Sequence, residues 1–397
     1  MKLITKLVIL SPLLLLVALS FAQGNLCQGA HWTDEEGSQM MHLFSEKWDD
    51  KASWENRSSI IKQGIVTGLG WDKVPDLNQV DRVTIRGTKE MDGYVVENIA
   101  IESFPGFFVT GNLYRPIASE GKSPGILCPH GHWSQPGDVG RFRADMQIRC
   151  AMLARMGCVV IAYDMVGYGE STQIDHKMPI ALLLQTWNSK RVVDYLVSRP
   201  DVDTDRIAIT GASGGGTQTF ISTALDDRID VSIPAVMVSA HFFGGCVCES
   251  GMPIHKSNKH QTNNVEIAAL AAPRPMLILS DGGDWTANNP IVEIPYLRRV
   301  YKAYGVEPRL HHVHFPLERH DYGRHKRAAL YNFLGNEFDL PISRDLYDHQ
   351  ENRFNEHLVT IQEEQSLYVF DGEHSRPSEA LLGNEAVTKY FLEDYCR

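Results

Sequence analysis

The sequence predicts an α/β fold in which a mostly parallel sheet is covered by helices on both faces and begins with an antiparallel edge. From residue 126 to residue 315, short continuous apolar runs alternate with longer helical stretches, the pattern of parallel strands buried on both faces. Ahead of them, residues 79–116 alternate apolar with polar residues around Asp92-Gly93 and Pro105-Gly106, the pattern of antiparallel hairpins. Within the parallel region, Asp205 to Phe220 reads as a buried strand, one serine set among glycines, and the start of a helix.

The chain has 397 residues, enough for one large domain with additions, since single cores stop growing near about 250–300 residues. At its start, Lys2 and Lys6 precede an apolar run from Leu7 to Leu19, followed by Ser20 and Ala22. That layout predicts a signal peptide over residues 1–22, export to the periplasm or the cell exterior, and no membrane anchor after cleavage. A lipid anchor fits less well, because Asn25 and Leu26 precede Cys27 where small residues are needed. Residues 23–78 read as a helical addition: Met40, Met41, Leu43, Phe44, Trp48, Trp54, Ile60, Ile61 and Ile65 suit two amphipathic helices.

The main domain is expected over residues 79–340. Its hairpin strands carry Val83 and Ile85, then Tyr94, Val96, Ile99 and Ile101, then Phe107, Val109 and Leu113. Parallel strands are expected at 126–128, 158–163, 207–209, 231–238, 276–279 and 310–315, with helices over about 143–156 and 180–198 and from near Arg324. Residues 240–264 interrupt this alternation and are rich in Gly, Cys, His and Asn; long ordered excursions of this kind often carry function. Residues 341–397 are polar, but Phe354, Leu358, Ile361, Leu367 and Tyr390 give them something to bury, so they are expected to pack on the main domain.

A formal net charge of −11 argues against nucleic acid or an anionic membrane surface as the main partner. The seven cysteines are an odd number. Cys128 and Cys158 fall in apolar runs and read as buried thiols, while Cys27 and Cys396 lie near the termini and are open to pairing. Cys246 and Cys248 form a Cys-x-Cys with no second pair at zinc spacing, so no metal is expected, and no cofactor.

Gly211, Ser213 and Gly215 fill the pattern Gly-x-Ser-x-Gly. In a nucleophile elbow the serine sits on a sharp strand-to-helix turn, where neighbouring side chains would collide. A serine hydroxyl needs a histidine to take its proton and an acid to orient that histidine. On this kind of sheet the order is serine, acid, histidine, each just past a strand end. Asp281 and Asp284 both follow the strand at 276–279; Asp284, beyond two glycines that can aim it back over the strand, is favoured. His311, His312 and His314 lie inside the last strand, whereas His320 lies in the loop after it and is the expected base. The backbone N–H groups of Gly214 and of His132, in the His130-Gly131-His132-Trp133 turn, are the expected oxyanion donors. Trp133, Trp285 and His130 flank this site as candidate substrate surface, although the tryptophans serve a core equally well.

Together Gly211-Ala212-Ser213-Gly214-Gly215-Gly216-Thr217, His130-Gly131-His132-Trp133, Ala272-Pro273-Arg274-Pro275, Gly283-Asp284-Trp285-Thr286 and Asp164-Met165-Val166-Gly167-Tyr168-Gly169 resemble the α/β-hydrolase superfamily. Within it the chain resembles exported bacterial acetyl xylan esterases and dienelactone hydrolase-like enzymes over about residues 79–340. The resemblance implies a serine carboxylic-ester hydrolase that removes acetyl or other short acyl groups from polysaccharide or related small esters. Dienelactone hydrolases proper use a cysteine where this chain has Ser213. Two other readings are a serine peptidase of the prolyl-oligopeptidase type, for which the chain lacks the long propeller region, and a non-catalytic carbohydrate-binding protein.

Overall fold

The computed structural model describes residues 31–77, 79–119, 121–135 and 138–396. The segment expected to be a signal peptide, residues 1–22, and Cys27 lie outside the described residues. Helices α1 (Asp34–Ser45) and α2 (Lys51–Leu69) come first. Thr33 starts α1 with a capping box to Glu36, and Asp50 does the same for α2 with Ser53, satisfying N–H groups that have no partner inside the helix. The buried Trp48, in the connection between them, and Trp54 of α2 pack against Tyr296, whose hydroxyl accepts the Trp48 indole N–H at 3.0 Å.

The meander β1 (Val83–Glu90), β2 (Tyr94–Phe104) and β3 (Phe107–Pro116) is antiparallel. Gly93 and Gly106, at φ 82° and 80°, make its two turns in backbone conformations that side chains disfavour. Strand β4 (Ser123–Pro129) leads through α3 (Ala144–Arg155) to β5 (Val159–Tyr163), then α4 (Ala181–Ser198) to β6 (Val202–Ala212), α5 (Gly214–Leu225) and β7 (Val231–Ala235). After the short helices α6 (Val247–Ser250) and α7 (Asn264–Ala269) come β8 (Met276–Asp281), α8 (Glu293–Ala303), β9 (Leu310–Phe315) and α9 (Arg324–Glu337). The described residues form one nine-stranded sheet ordered β1-β2-β3-β5-β4-β6-β7-β8-β9. β3 meets β5 antiparallel, and every pairing from β5 to β9 is parallel. This is the α/β-hydrolase arrangement expected from the sequence.

Alternation along each strand feeds two cores. Ile207 and Ile209 of β6 join Val192, Val193 and Leu196 of α4 on one face, while Ala208 and Ala212 face the side of α3 and α9. Because β4 lies between β5 and β6 in the sheet, the loop that leaves it at His130 runs beside the exits of both neighbours. Open parallel sheets bind ligands at such carboxyl ends.

The C-terminal segment is tied to the main domain by polar bonds as well as packing. Asn98 donates to the carbonyls of Ser366 and Tyr368. The fully buried Arg141 lies 3.0 Å from Asp164, donates to the Leu367 carbonyl at 3.1 Å and pairs with Glu170. Glu170 in turn accepts the N–H groups of Val369 and Phe370. Among the described residues, no helix is long and apolar enough to cross a membrane.

Candidate active site

Strand β6 ends at Ala212 and α5 begins at Gly214, leaving Ser213 alone between them at φ 57°, ψ −125°. A side-chain-bearing residue adopts such a backbone only where its surroundings over-determine it. Here the Ser213 N–H donates to the Ala235 carbonyl at 3.2 Å, and its carbonyl accepts the Thr217 N–H at 3.0 Å. A Cβ at Gly211 would fall 2.6 Å from the Pro129 carbonyl oxygen, and one at Gly215 would fall 2.4 Å from it. The two glycines of the motif are therefore required by backbone packed against β4.

The His320 Nδ1 lies 2.6 Å from Asp284 Oδ2. Asp284 Oδ1 accepts both the backbone N–H and the hydroxyl of Thr286 at 2.6 Å, so the carboxylate is fixed from two sides. Asp281 has a different partner. It sits 3.1 Å from the ammonium of Lys326, with both side chains fully buried. Burial raises the Asp281 carboxyl above its ordinary range, the neighbouring Asp284 adds to this, and Lys326 opposes it. Lys326 also bonds Glu318, Asp321 and the Arg319 carbonyl, each at 3.0 Å, so α9 holds the His320 loop on both sides of the histidine.

The His320 ring lies between two indoles, with its centroid 6.2 Å from Trp133 and 4.5 Å from Trp285. Arg143 covers Trp133 at 4.6 Å and Phe242 stacks on Trp285 at 4.0 Å, extending this into a row of planar groups. Trp133 and Trp285 thus flank His320. Neither Ser213 Oγ nor His320 Nε2 has a hydrogen-bond partner among the described residues. Links between a nucleophile and its base are often loose without substrate.

The loop after β4 closes the other side. The His132 ring abuts the elbow, its Cε1 2.7 Å from where a Gly214 Cβ would stand. His130 does not line a substrate surface and must be removed from that set: it is 1% exposed. Its Nδ1 donates to the Gly131 carbonyl and its Nε2 accepts the Met165 N–H. Burial lowers its pKa to about 3, so it is a neutral pin between the β4 and β5 exits. Cys246 and Cys248, for which no second cysteine pair was found in the sequence, have two histidines beside them. The ligand atoms of His132, His176, Cys246 and Cys248 all lie within 4.8 Å of one another. Sequence reasoning missed His176, Lys326 and Arg141. None sits in a motif, and the only local signal was a charged residue next to an apolar segment.

The family described as "Glucuronyl esterase, fungi" matches residues 168–248. Among solved structures, "Methylesterase BT1017" is 40% identical, with a TM-score of 0.82 over 92% of this chain and 80% of that one. "Putative hydrolase YtaP" of Bacillus subtilis is 28% identical over 234 residues, which is 52% of this chain and 75% of that protein. A "4-O-methyl-glucuronoyl methylesterase" of Neurospora crassa is 28% identical over 172 residues, 34% of this chain and 41% of the fungal protein. The chain therefore spans less than half the length of that fungal relative.

Proposed function

The chain belongs to the family of Methylesterase BT1017, carboxylic ester hydrolases on the α/β-hydrolase fold, and we propose that it cleaves methyl esters of sugar acids through a Ser213–His320–Asp284 triad. The observation that carries the triad is the 2.6 Å bond from His320 to Asp284, on the strand ends that follow the strained Ser213 turn. In this reading His320 Nε2 takes the Ser213 proton as Oγ attacks the ester carbonyl. The oxyanion is held by the N–H groups of Gly214 and His132. The tetrahedral adduct collapses as His320 returns the proton to the leaving methanol, leaving the sugar carboxyl bound to Ser213 as an acyl-enzyme. Water activated by His320 then releases the free acid. Asp284 keeps the proton of His320 on Nδ1, which leaves Nε2 as the base.

The choice of a methyl ester rests on the activity that names the 40%-identical relative, supported by that of the fungal one. It turns around the expectation from sequence, in which the carbohydrate carries the alcohol and the departing acid is acetate. Trp133 and Trp285 beside His320 suit stacking against a sugar face. Export is part of the proposal and rests on the Met1–Ala22 pattern. Methanol and acetate released from methyl-esterified and from acetylated glycans test the reading. Methanol is expected, with turnover by Ser213→Ala reduced to a residual of about 10³–10⁴ over water. Acetate without methanol would overturn the substrate, and undiminished release by Ser213→Ala would overturn the triad.

A further inference from the structure

Four side chains beside the elbow are unused by the triad and come from three separate loops. Cys246 and Cys248 lie at the start of α6, His176 in the segment between β5 and α4, and His132 after β4. His132 Nε2 is 2.9 Å from Cys248 Sγ, and His176 Nε2 is 3.2 Å from Cys246 Sγ and 3.4 Å from Cys248 Sγ. We propose that these four atoms form a tetrahedral site for a soft divalent metal ion of the zinc class, which clamps the three loops next to Ser213.

Around a zinc ion with Zn–S of about 2.3 Å and Zn–N of about 2.0–2.1 Å, tetrahedral ligand atoms stand roughly 3.3–3.8 Å apart. The separations here, from 2.9 Å to at most 4.8 Å, reach those values with shifts of about 1 Å or less. Two thiolates with two imidazoles make a structural donor set with no position left for water. The surroundings fit as well. A ligating histidine usually gives its other ring N–H to a carbonyl or carboxylate. His176 Nδ1 lies 2.6 Å from the Val166 carbonyl, which leaves Nε2 with its lone pair toward the sulfurs. His132 Nδ1 lies 3.7 Å from Oε1 of the buried Glu249, whose Oε2 is held at 2.8 Å by the Gly245 N–H. Two thiolates neutralise the divalent ion, so Glu249 is left to pair with an N–H that the metal polarises.

The site also accounts for the excursion at residues 240–264, whose Cys-x-Cys is brought to the loop that faces the elbow. Its existence does not depend on the esterase reading, because metal content is measured without substrate. Full-length protein purified with zinc and reductant, then desalted, should hold about one zinc per chain, and the Cys246→Ser/Cys248→Ser variant at least five-fold less. Should that variant fail to fold, chelator-stripped wild-type protein is titrated with Co²⁺. The site requires saturation at about one equivalent, with the intense visible bands and thiolate charge transfer of tetrahedral cobalt, reversed by zinc. Negligible zinc together with an octahedral Co²⁺ spectrum would overturn the proposal. So would unchanged zinc in a folded double variant, or a Cys246–Cys248 disulfide in protein kept reduced.

Discussion

Two sides of the elbow were built in different ways. On the triad side, Asp284 and His320 leave adjacent strands β8 and β9, and α9 locks their loops through one buried ammonium, Lys326. On the cluster side, His132, His176, Cys246 and Cys248 arrive from loops up to 116 residues apart in the chain. The contrast shows how a parallel sheet places chemistry. Residues at the ends of neighbouring strands are positioned by register alone, so their order along the chain carries information. Residues on excursions need an anchor of their own, and nothing in their spacing announces it.

The sharpest way to test the triad side is to exchange its two aspartates. Asp284→Asn should lower kcat/KM by about 10⁴-fold on the pattern of serine triads, while Asp281→Asn should cost less than about tenfold, read with a chromogenic ester. A larger loss in the second would move the acid to the end of β8.

Lys326→Met asks whether the triad side is braced as the bonds suggest. It strands Asp281, a carboxylate with no exposed surface, and breaking one partner of a buried pair costs about 3–5 kcal/mol. Urea unfolding should show a loss of that size, with part recovered in Lys326→Met/Asp281→Asn. A loss under about 1 kcal/mol would mean that water already reaches the pair.

The anchor at the base of the cluster-side excursion is Glu293, which accepts the Ala240 N–H at 2.9 Å. Burial raises its pKa from 4.5 to about 7, and the hydrogen bond from Ala240 only partly offsets this. The native chain therefore holds a proton that the unfolded chain has lost between those values. Glu293 thus adds stability below about pH 4.5, and that stability disappears as pH rises through 7. Glu293→Gln should remove this slope, worth on the order of 1 kcal/mol or more, in melts at pH 5 and pH 8. Parallel pH profiles of wild type and variant would rule it out.

Much of the fold could be read from residue pattern. The apolar cores of β4, β5, β7 and β8 stood out because both faces are buried, and the turn glycines Gly93 and Gly106 marked the meander. Boundaries were harder. β6 begins at Val202, because Val202 and Asp203 already pair with Ser123 and Pro124 of β4, ahead of a bulge over the polar residues 204–206 that carries no hydrophobic signal. Ser213, Asp284 and His320 follow the elbow and strand order, and the structure joins the last two. His130 was misread because its neighbours in sequence suggested a surface, whereas Met165, on the loop after β5, takes up its ring. The four-residue cluster was invisible because His176 sits in no motif and His132 was read for its backbone N–H alone.

Arg141 has one more implication, for the order in which the molecule is completed. Its charge lies in the core, yet part of its satisfaction comes from the Leu367 carbonyl and from Glu170, itself held by the Val369 and Phe370 N–H groups. A growing chain that has already made every strand of the sheet has Asp164 and Glu170 to pair with Arg141 but still lacks the Leu367 carbonyl and the Val369 and Phe370 N–H groups, so this buried network is only partly satisfied. The sheet can assemble early, but the native core closes only after residue 370 has been synthesised. A tail-dependent final step of this kind leaves the chain unlocked for most of its synthesis.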